Sequence, residues 1–236
     1  MGDLRAYEHI NGARFDDVRN GRLDVLLITS GDDVTEQALR AVLEADPGVD
    51  WMHVQRPGAE VFFTSRASGI WDAYLMHETI FEDGARQPSP DVMRGFAELC
   101  QVGHGFVVLH EGANAWPDWP AWREFVGGVP NAALAGDAAL TATRGEPHPV
   151  LTGLNQPLHA TRPVAVGGMG VRPLIVQGGK VLAWTHRVGQ AEVVYLPVGA
   201  TATSIVHPVS RLLIANALRW VSRERSGGPA IEFVPL

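Results

Sequence analysis

The stretch Asp24-Val25-Leu26-Leu27-Ile28-Thr29, closed by Ser30-Gly31-Asp32 and continued by Asp33-Val34-Thr35-Glu36, decides the fold class of this chain. Its first six residues form a run of leucine and β-branched side chains, which is typical of a strand buried on both faces. The last four fit a helix capping box, and apolar residues then recur at helical spacing until Pro47-Gly48. The pattern predicts strand, turn and helix in succession, the repeating unit of an α/β fold.

The alternation of strand and helix patterns continues along the chain. Residues 129–172 are an exception, because their periodicity is too weak to define elements, and we expect mostly loop there. The late β-rich runs are separated by two or three residues, which suits tight hairpins. The remaining predictions are strands at Val49 to Gln55, Trp71 to His77, Phe106 to His110, Pro173 to Gln177, Lys180 to Arg187 and Ala191 to Val198, and helices at Pro90 to Val102, Pro120 to Val126 and about Pro208 to Arg223.

These elements predict a three-layer, doubly wound α/β domain of flavodoxin-like type, with a mostly parallel sheet and late β-hairpins. We place this single domain at residues 23–224, between an N-terminal extension of residues 1–22 and a C-terminal tail of residues 225–236. Ligands of such folds bind outside the carboxyl ends of the strands, where successive connections leave in opposite directions. The residues that follow each strand are therefore the first candidates for a site.

Composition excludes several classes of function. The 236 residues are 46% hydrophobic and 19% charged, which excludes disorder as the dominant state. A net charge of -7 without a basic run argues against a nucleic-acid partner, and no apolar run approaches the roughly 20 residues of a membrane helix. The beginning of the chain has no secretory signal pattern, so we expect a cytoplasmic protein. The single cysteine, Cys100, lies on the apolar stripe of a predicted helix and is expected to be inert.

Three predicted strand exits carry polar side chains that could line one crevice. They are Ser30-Gly31-Asp32, His77-Glu78 and His110-Glu111-Gly112-Ala113-Asn114. An imidazole titrates near neutral pH, and an adjacent carboxylate can orient it or raise its pKa, which suits general acid/base catalysis. The alternative is that His77 and His110 only close their strands with hydrogen bonds to the backbone.

Other chemistries have weaker support. The two His-Glu pairs could hold a divalent metal, but adjacent strand residues point to opposite faces and no H-E-x-x-H motif occurs. A G-x-S-x-G elbow and a G-x-G-x-x-G fingerprint are both missing from the sequence, so neither a serine nucleophile nor a dinucleotide cofactor is expected.

Tryptophans cluster after the strand that ends at His110. Trp116 and Trp119 fall on a predicted loop, where flat aromatic faces could hold a sugar ring, whereas Trp122 is spaced to pack with Phe125 on a short helix. His148, between two prolines, is at least as well suited to capping or to a solvent-facing turn as to a functional role.

Seven blocks of the sequence, in order, match one known pattern: Gly105 to His110, Trp119-Pro120, Phe125 to Gly128, His148 to Leu154, Ala183 to His186, Val193 to Gly199 and Asn216 to Trp220. Together they resemble the ThuA-like family linked to trehalose utilisation. Its members typically follow the strand histidine with a Cys-Ala-Thr-Asp-like stretch and the last strand with Gly-His, whereas this chain has Glu111 to Asn114 and Gly199-Ala200. Its acidic segment after the Gly-Leu motif also has no match, so His110 alone carries over cleanly among polar site positions.

The resemblance implies a class I glutamine-amidotransferase-like fold and a role in carbohydrate metabolism. We expect an enzyme that acts on a sugar or oxidised disaccharide as a hydrolase, lyase or isomerase, not as a glutaminase. The alternatives are a non-catalytic ligand-binding or assembly protein that retains the fold, and a metal-dependent hydrolase. We expect no cofactor, with a divalent metal as the weaker alternative. The expected ligand is a small sugar-like molecule, no nucleic-acid or membrane partner is expected, and a homodimer is the candidate assembly. The expected catalytic residues are His110, Glu111 and His77, and the expected substrate contacts are Glu78, Asn114, Trp116, Trp119 and His186.

Overall fold

A computed structural model describes residues 10–11, 21–31, 33–56, 58–63, 71–77, 87–130, 137–140, 147–161 and 165–222. The strands are β1 (Ile10–Asn11), β2 (Leu23–Thr29), β3 (Val49–Gln55), β4 (Ala73–His77), β5 (Gly105–Leu109), β6 (Gly128–Pro130), β7 (Asp137–Leu140), β8 (Leu158–Thr161), β9 (Ala165–Gly167), β10 (Arg172–Gln177), β11 (Lys180–Val188) and β12 (Ala191–Leu196). The helices are α1 (Asp33–Glu44), α2 (Pro90–Val102), α3 (Pro120–Val126), α4 (Ala202–Val206) and α5 (Pro208–Val221). Short 3-10 turns occupy Gly58–Phe63, His110–Asn114 and Pro149–Leu151.

The described residues form one main sheet of eight strands in the order β1-β3-β2-β4-β5-β12-β11-β10. The five strands from β3 to β12 run parallel, and β11 and β10 extend the sheet as antiparallel hairpin strands. The predicted α/β class, mostly parallel sheet and late hairpins are therefore confirmed. The fold is of the flavodoxin and glutamine-amidotransferase type.

Helices cover both faces of this sheet and define two apolar cores. One core packs α1, α4 and α5 against alternate strand residues such as Leu27, Leu75 and Leu109. The other packs α2, α3 and the turn Gly58–Phe63 against the intervening residues, including Tyr74 and Phe106. Side chains alternate between the faces of a strand, which is why consecutive residues of one buried strand belong to different cores.

Two parts of the sequence prediction differ from the structure. Residues 129–172, expected to be mostly loop, contain parts of two small antiparallel pairs, β6 with β9 and β7 with β8. The strands are only three or four residues long, too short for a periodic pattern to show. The capping box is also wrong, because Asp33 is already the first residue of α1, and the Glu36 carboxylate is bound to side chains of the sheet.

The order of the strands places a topological switch point between β2 and β4. The chain passes from β2 to β3 on one side, then crosses back to β4 and continues outward through β5 to β12. Thr29 and His77 end the two strands that flank this point and are register partners. Ligands of doubly wound folds bind at such a crevice, so this edge of the sheet is the expected position of a site.

Candidate active site

His77 ends β4 at the switch point, with its imidazole buried to 3% exposure. Its Nε2 lies 2.9 Å from the carbonyl oxygen of Gly199, which follows β12 two strands away. A carbonyl oxygen only accepts hydrogen bonds, so Nε2 carries the hydrogen. Any further proton that His77 gains must therefore go to Nδ1.

His110 follows β5 directly and has a backbone φ of 39°, the only positive φ of a non-glycine residue in the part of the chain that the structure describes. The sequence predicted that His110 ends the strand, but the strand stops at Leu109 and His110 begins the 3-10 turn His110–Asn114. A left-handed backbone costs an ordinary residue roughly 1–2 kcal/mol. Strain of this kind is concentrated at functional sites, and here it turns the chain sharply at the carboxyl end of the sheet.

Gly199 brings the two histidines to one point. A methyl group at Gly199 would lie 2.6 Å from Cδ2 and Nε2 of His77 and 3.2 Å from Cβ of His110. Both imidazole-bearing residues therefore pack against the same glycine, and both are at least 95% buried. A site at this position excludes most water, which strengthens the electrostatic interactions inside it.

The turn that begins at His110 adds a carboxylate and an amide. The Asn114 side-chain Nδ2 donates a hydrogen bond of 3.0 Å to Oε2 of Glu111. Glu111, predicted to be catalytic, and Asn114, predicted to contact substrate, are therefore in direct contact. The side chains of Glu111 and Asn114 are partly exposed. They are more exposed than His77 and His110, which are at least 95% buried.

Sequence reasoning missed Tyr195, a polar side chain inside β12. Its hydroxyl is fully buried and has no hydrogen-bond partner among the described residues. Burial raises the pKa of Tyr195, and the negative charge of Glu111 raises it further, so the phenol is neutral. A tyrosine in an otherwise aliphatic strand run, Val193-Val194-Tyr195-Leu196, was the available sequence signal.

A second missed feature is a buried polar network next to His77. Glu36 of α1 accepts hydrogen bonds from Thr29 Oγ1 at 3.1 Å and from Gln55 Nε2 at 2.7 Å, and it pairs with Arg40 at 2.7 Å. His53 lies between Arg40, 2.7 Å from its Nδ1, and Thr29, 2.9 Å from its Nε2. Arginine only donates, so Nδ1 of His53 accepts and Nε2 carries the hydrogen. The network fixes Thr29, the register partner of His77.

Trp116 is placed differently from the sequence prediction. It is fully buried, with the Arg56 guanidinium 4.8 Å from its ring centroid and the rings of Phe63 and Trp122 against it. This packing leaves no face for a sugar ring, so the predicted substrate contact is corrected to a core position. Trp119 is half-buried and stacks on Trp122, which is itself a core residue as predicted.

His186 lies away from the two histidines. His186 pairs in register with Val193, three residues before the end of β12, which is about 10 Å from the strand ends. Its Nε2 contacts the carbonyl oxygen of Glu124 at 3.0 Å, beside the end of α3. Glu78 lies outside the described residues.

Three further features bear on the kinds of site and location open to the chain. The described ranges hold no group of three His, Cys, Asp or Glu side chains arranged to bind a metal ion. Burial raises the pKa of the Cys100 thiol to about 12, in keeping with its predicted place on the apolar side of α2. Within the described part of the chain, no helix is both long and apolar enough to span a membrane.

Comparison with known proteins supports the fold. No family model and no curated protein matches the sequence. Among solved structures, a ThuA-like protein from Parabacteroides merdae matches with a TM-score of 0.64 and 18% identity, over 91% of this chain and 93% of the other.

Two other solved structures match over most of this chain, one as nearly the whole protein and one as a third of a longer protein. A cytoplasmic protein of Salmonella typhimurium matches with a TM-score of 0.62 and 14% identity, over 84% of this chain and 98% of the other. A β-galactosidase from Bacillus circulans sp. alkalophilus matches with a TM-score of 0.53 and 12% identity, over 93% of this chain but only 33% of the other. The chain therefore has the fold of the ThuA-like proteins, as its sequence motifs predict.

Proposed function

We propose that this protein is an enzyme of carbohydrate metabolism that acts on a sugar or an oxidised disaccharide by general acid/base chemistry. The observation that carries the proposal is the convergence of His77 and His110 on Gly199, with His110 held in a left-handed backbone conformation. A protein has little structural reason to keep a strained histidine next to a second buried histidine. Proton transfer gives both residues a role.

The proposed roles follow from the contacts. His110, at the turn, is the general acid/base. His77 has its Nε2 hydrogen committed to Gly199, so it exchanges protons through Nδ1 and acts as the second proton carrier. Glu111, held by a hydrogen bond from Asn114, supplies the carboxylate that pairs with an imidazolium or a substrate hydroxyl.

Carbohydrate is the proposed substrate class because of the sequence blocks shared with the ThuA-like family. The β-galactosidase match supports this class only indirectly, since it shows the same fold within a sugar-processing protein. Trp119, half-buried after the His110 turn, is the remaining aromatic candidate for contact with a sugar ring. Hydrolysis, elimination and isomerisation would all use the same proton transfers. A cytoplasmic location and a homodimer belong to the same proposal.

A second candidate is a non-catalytic ligand-binding or assembly protein. It is favoured by the departures from the family pattern at Glu111 to Asn114 and at Ala200, together with the deep burial of both imidazoles. A metal-dependent hydrolase is the third candidate. It predicts stoichiometric metal in the purified protein and activity that is lost with a chelator.

The test compares the wild-type protein with His110→Asn against trehalose, lactose and their keto forms, with products detected by NMR spectroscopy. Asparagine tolerates the left-handed conformation, so the variant should fold. We expect product only with the wild-type protein. Binding without product would favour the second candidate, and equal turnover by both proteins would remove His110 from the mechanism.

A further inference from the structure

The blocks 148–154 and 216–220, which lie outside the proposed active site, contact each other through hydrogen bonds and an aromatic pair. Asn216 of α5, 6% exposed, donates hydrogen bonds from Nδ2 to the carbonyl oxygens of Thr152 at 2.9 Å and Val150 at 3.3 Å. The ring of His148 lies edge-on to Trp220, with centroids 4.7 Å apart. A buried amide that donates hydrogen bonds to carbonyl oxygens of a loop fixes the position of that loop. The segment 148–154 is therefore held rigidly on α5.

A cavity of about 370 Å³ lies where this segment meets the first turn of α5. Volumes of roughly 300–1,000 Å³ are typical of sites for small molecules. None of the strand-end residues of the proposed active site lines it. Its walls are Gly153 to Gln156 on one side and Pro208, Val209, Arg211 and Leu212 on the other.

Three polar side chains line the cavity. Those of Asn155, Gln156 and Arg211 make no hydrogen bond or ion pair with the described residues. Arg211 differs from most described arginines of this acidic chain. Arg123 donates to the carbonyl oxygen of Pro117, and six others pair with carboxylates: Arg22, Arg40, Arg56, Arg94, Arg187 and Arg219.

We propose that this cavity is a second binding site, for a sugar acid: a polyhydroxylated ligand with one carboxylate. One guanidinium matches one carboxylate through paired hydrogen bonds, whereas a phosphate monoester carries more charge than a single arginine neutralises. The amides of Asn155 and Gln156 each donate and accept, as a hydroxyl does. Leu154 and Leu212 provide an apolar surface for the C–H face of the ring. This proposal does not depend on the active-site proposal.

The test measures binding of D-glucuronate, with D-glucose as the uncharged comparison, by calorimetry and by NMR shifts of backbone amides. We expect saturable binding of glucuronate in the millimolar range, weak or no binding of glucose, and shifts confined to 153–156 and 209–212. Arg211→Gln, at an exposed position, should weaken binding about tenfold, which is about 1.4 kcal/mol. Asn155→Ala should weaken it by a smaller factor.

Arg94→Gln is the matched control, because Arg94 is an exposed arginine on α2, which packs on the opposite face of the sheet. It should change glucuronate affinity by less than about twofold. An equal loss in Arg94→Gln and Arg211→Gln, no saturable binding by the wild-type protein, or equal affinity for glucose would overturn the proposal. So would displacement of glucuronate by an equal concentration of inorganic phosphate, which would indicate a general oxyanion site.

Discussion

The Nε2–H of His77 donates to the carbonyl oxygen of Gly199 over 2.9 Å, and the same glycine leaves no room for a side chain next to that imidazole. The backbone φ of Gly199 is 131°, a region that residues with a Cβ rarely adopt. Conformation and contact therefore both require glycine at this point. The position of His77 relative to His110 depends on it.

Gly199→Ala should displace both histidines. We expect a loss of stability of about 2–4 kcal/mol, from backbone strain together with the clash, and loss of any activity. Urea denaturation and the imidazole NMR signals of His77 and His110 measure the two effects. The matched control is Gly170→Ala, where φ is 84° but no atom lies within 4 Å of the new methyl group. If the two variants lose equal stability, the clash at Gly199 contributes nothing.

Substitutions at His110 should report the strain of its left-handed backbone. We expect His110→Val to be less stable than His110→Asn by about 1–2 kcal/mol, because a β-branched side chain fits a positive φ poorly and asparagine fits it well. Thermal and urea unfolding measure the difference. Thr152 is exposed and has a φ of -61°. The stabilities of Thr152→Val and Thr152→Asn should therefore differ by much less. Equal stability of the two His110 variants would contradict the strained turn.

The fold was predictable because its central elements carry strong local patterns. Two strands, the one that ends at Thr29 and the one before His110, are buried apolar runs of the right length with a clear boundary. Helix α2 has the right apolar period and a clear start, where Ser89 is the N-cap and Pro90 follows it. The short strands of residues 129–172 and the five-residue helix α4 have no such length, so tertiary contacts define them.

The candidate site was predictable only as a set of strand ends. Sequence placed His77 and His110 after neighbouring parallel strands, but Gly199 joins them from a strand that is more than 80 residues further along the chain. Trp116 was misread because a tryptophan on a loop can still turn inward, and here Arg56 covers its ring. The buried hydroxyl of Tyr195 gave only a weak signal, since strands often contain tyrosine.

Asn216 should contribute more to the free energy of unfolding than a typical surface amide does. Asn216→Ala leaves the carbonyl oxygens of Val150 and Thr152 without their donor, so we expect a loss of about 1–3 kcal/mol in the free energy of unfolding. Denaturant titration measures this loss, and amide hydrogen exchange should show faster opening in 148–154. Asn155→Ala is the control, since the exposed side chain of Asn155 makes no hydrogen bond within the described part of the chain. Unchanged exchange in Asn216→Ala would show that other contacts hold the segment.

The ion pair between Asp46 and Arg219 should make stability depend on acid pH. Burial by itself raises the pKa of Asp46, but the hydrogen bonds and charge of Arg219, with smaller help from Gly48 and Arg22, outweigh it and lower the pKa. The carboxylate therefore stabilises the fold at neutral pH, and this contribution is lost as pH falls below about 4 through the lowered pKa of the folded state.

Replacing the guanidinium of Arg219 tests whether this contribution to stability is lost at acid pH. Arg219→Met keeps the aliphatic stem but removes both contacts to Asp46, which are 2.7 and 2.8 Å long, and should cost about 2 kcal/mol at pH 7. The loss should shrink at about pH 3, because protonation of Asp46 already weakens the pair in the wild-type protein. Urea denaturation at a series of pH values measures both. Arg94→Met, which breaks an exposed pair with Asp91, should change stability by less than about 0.5 kcal/mol at either pH. A loss in Arg219→Met that is independent of pH would mean that Arg219 acts through packing and not through the charge of Asp46.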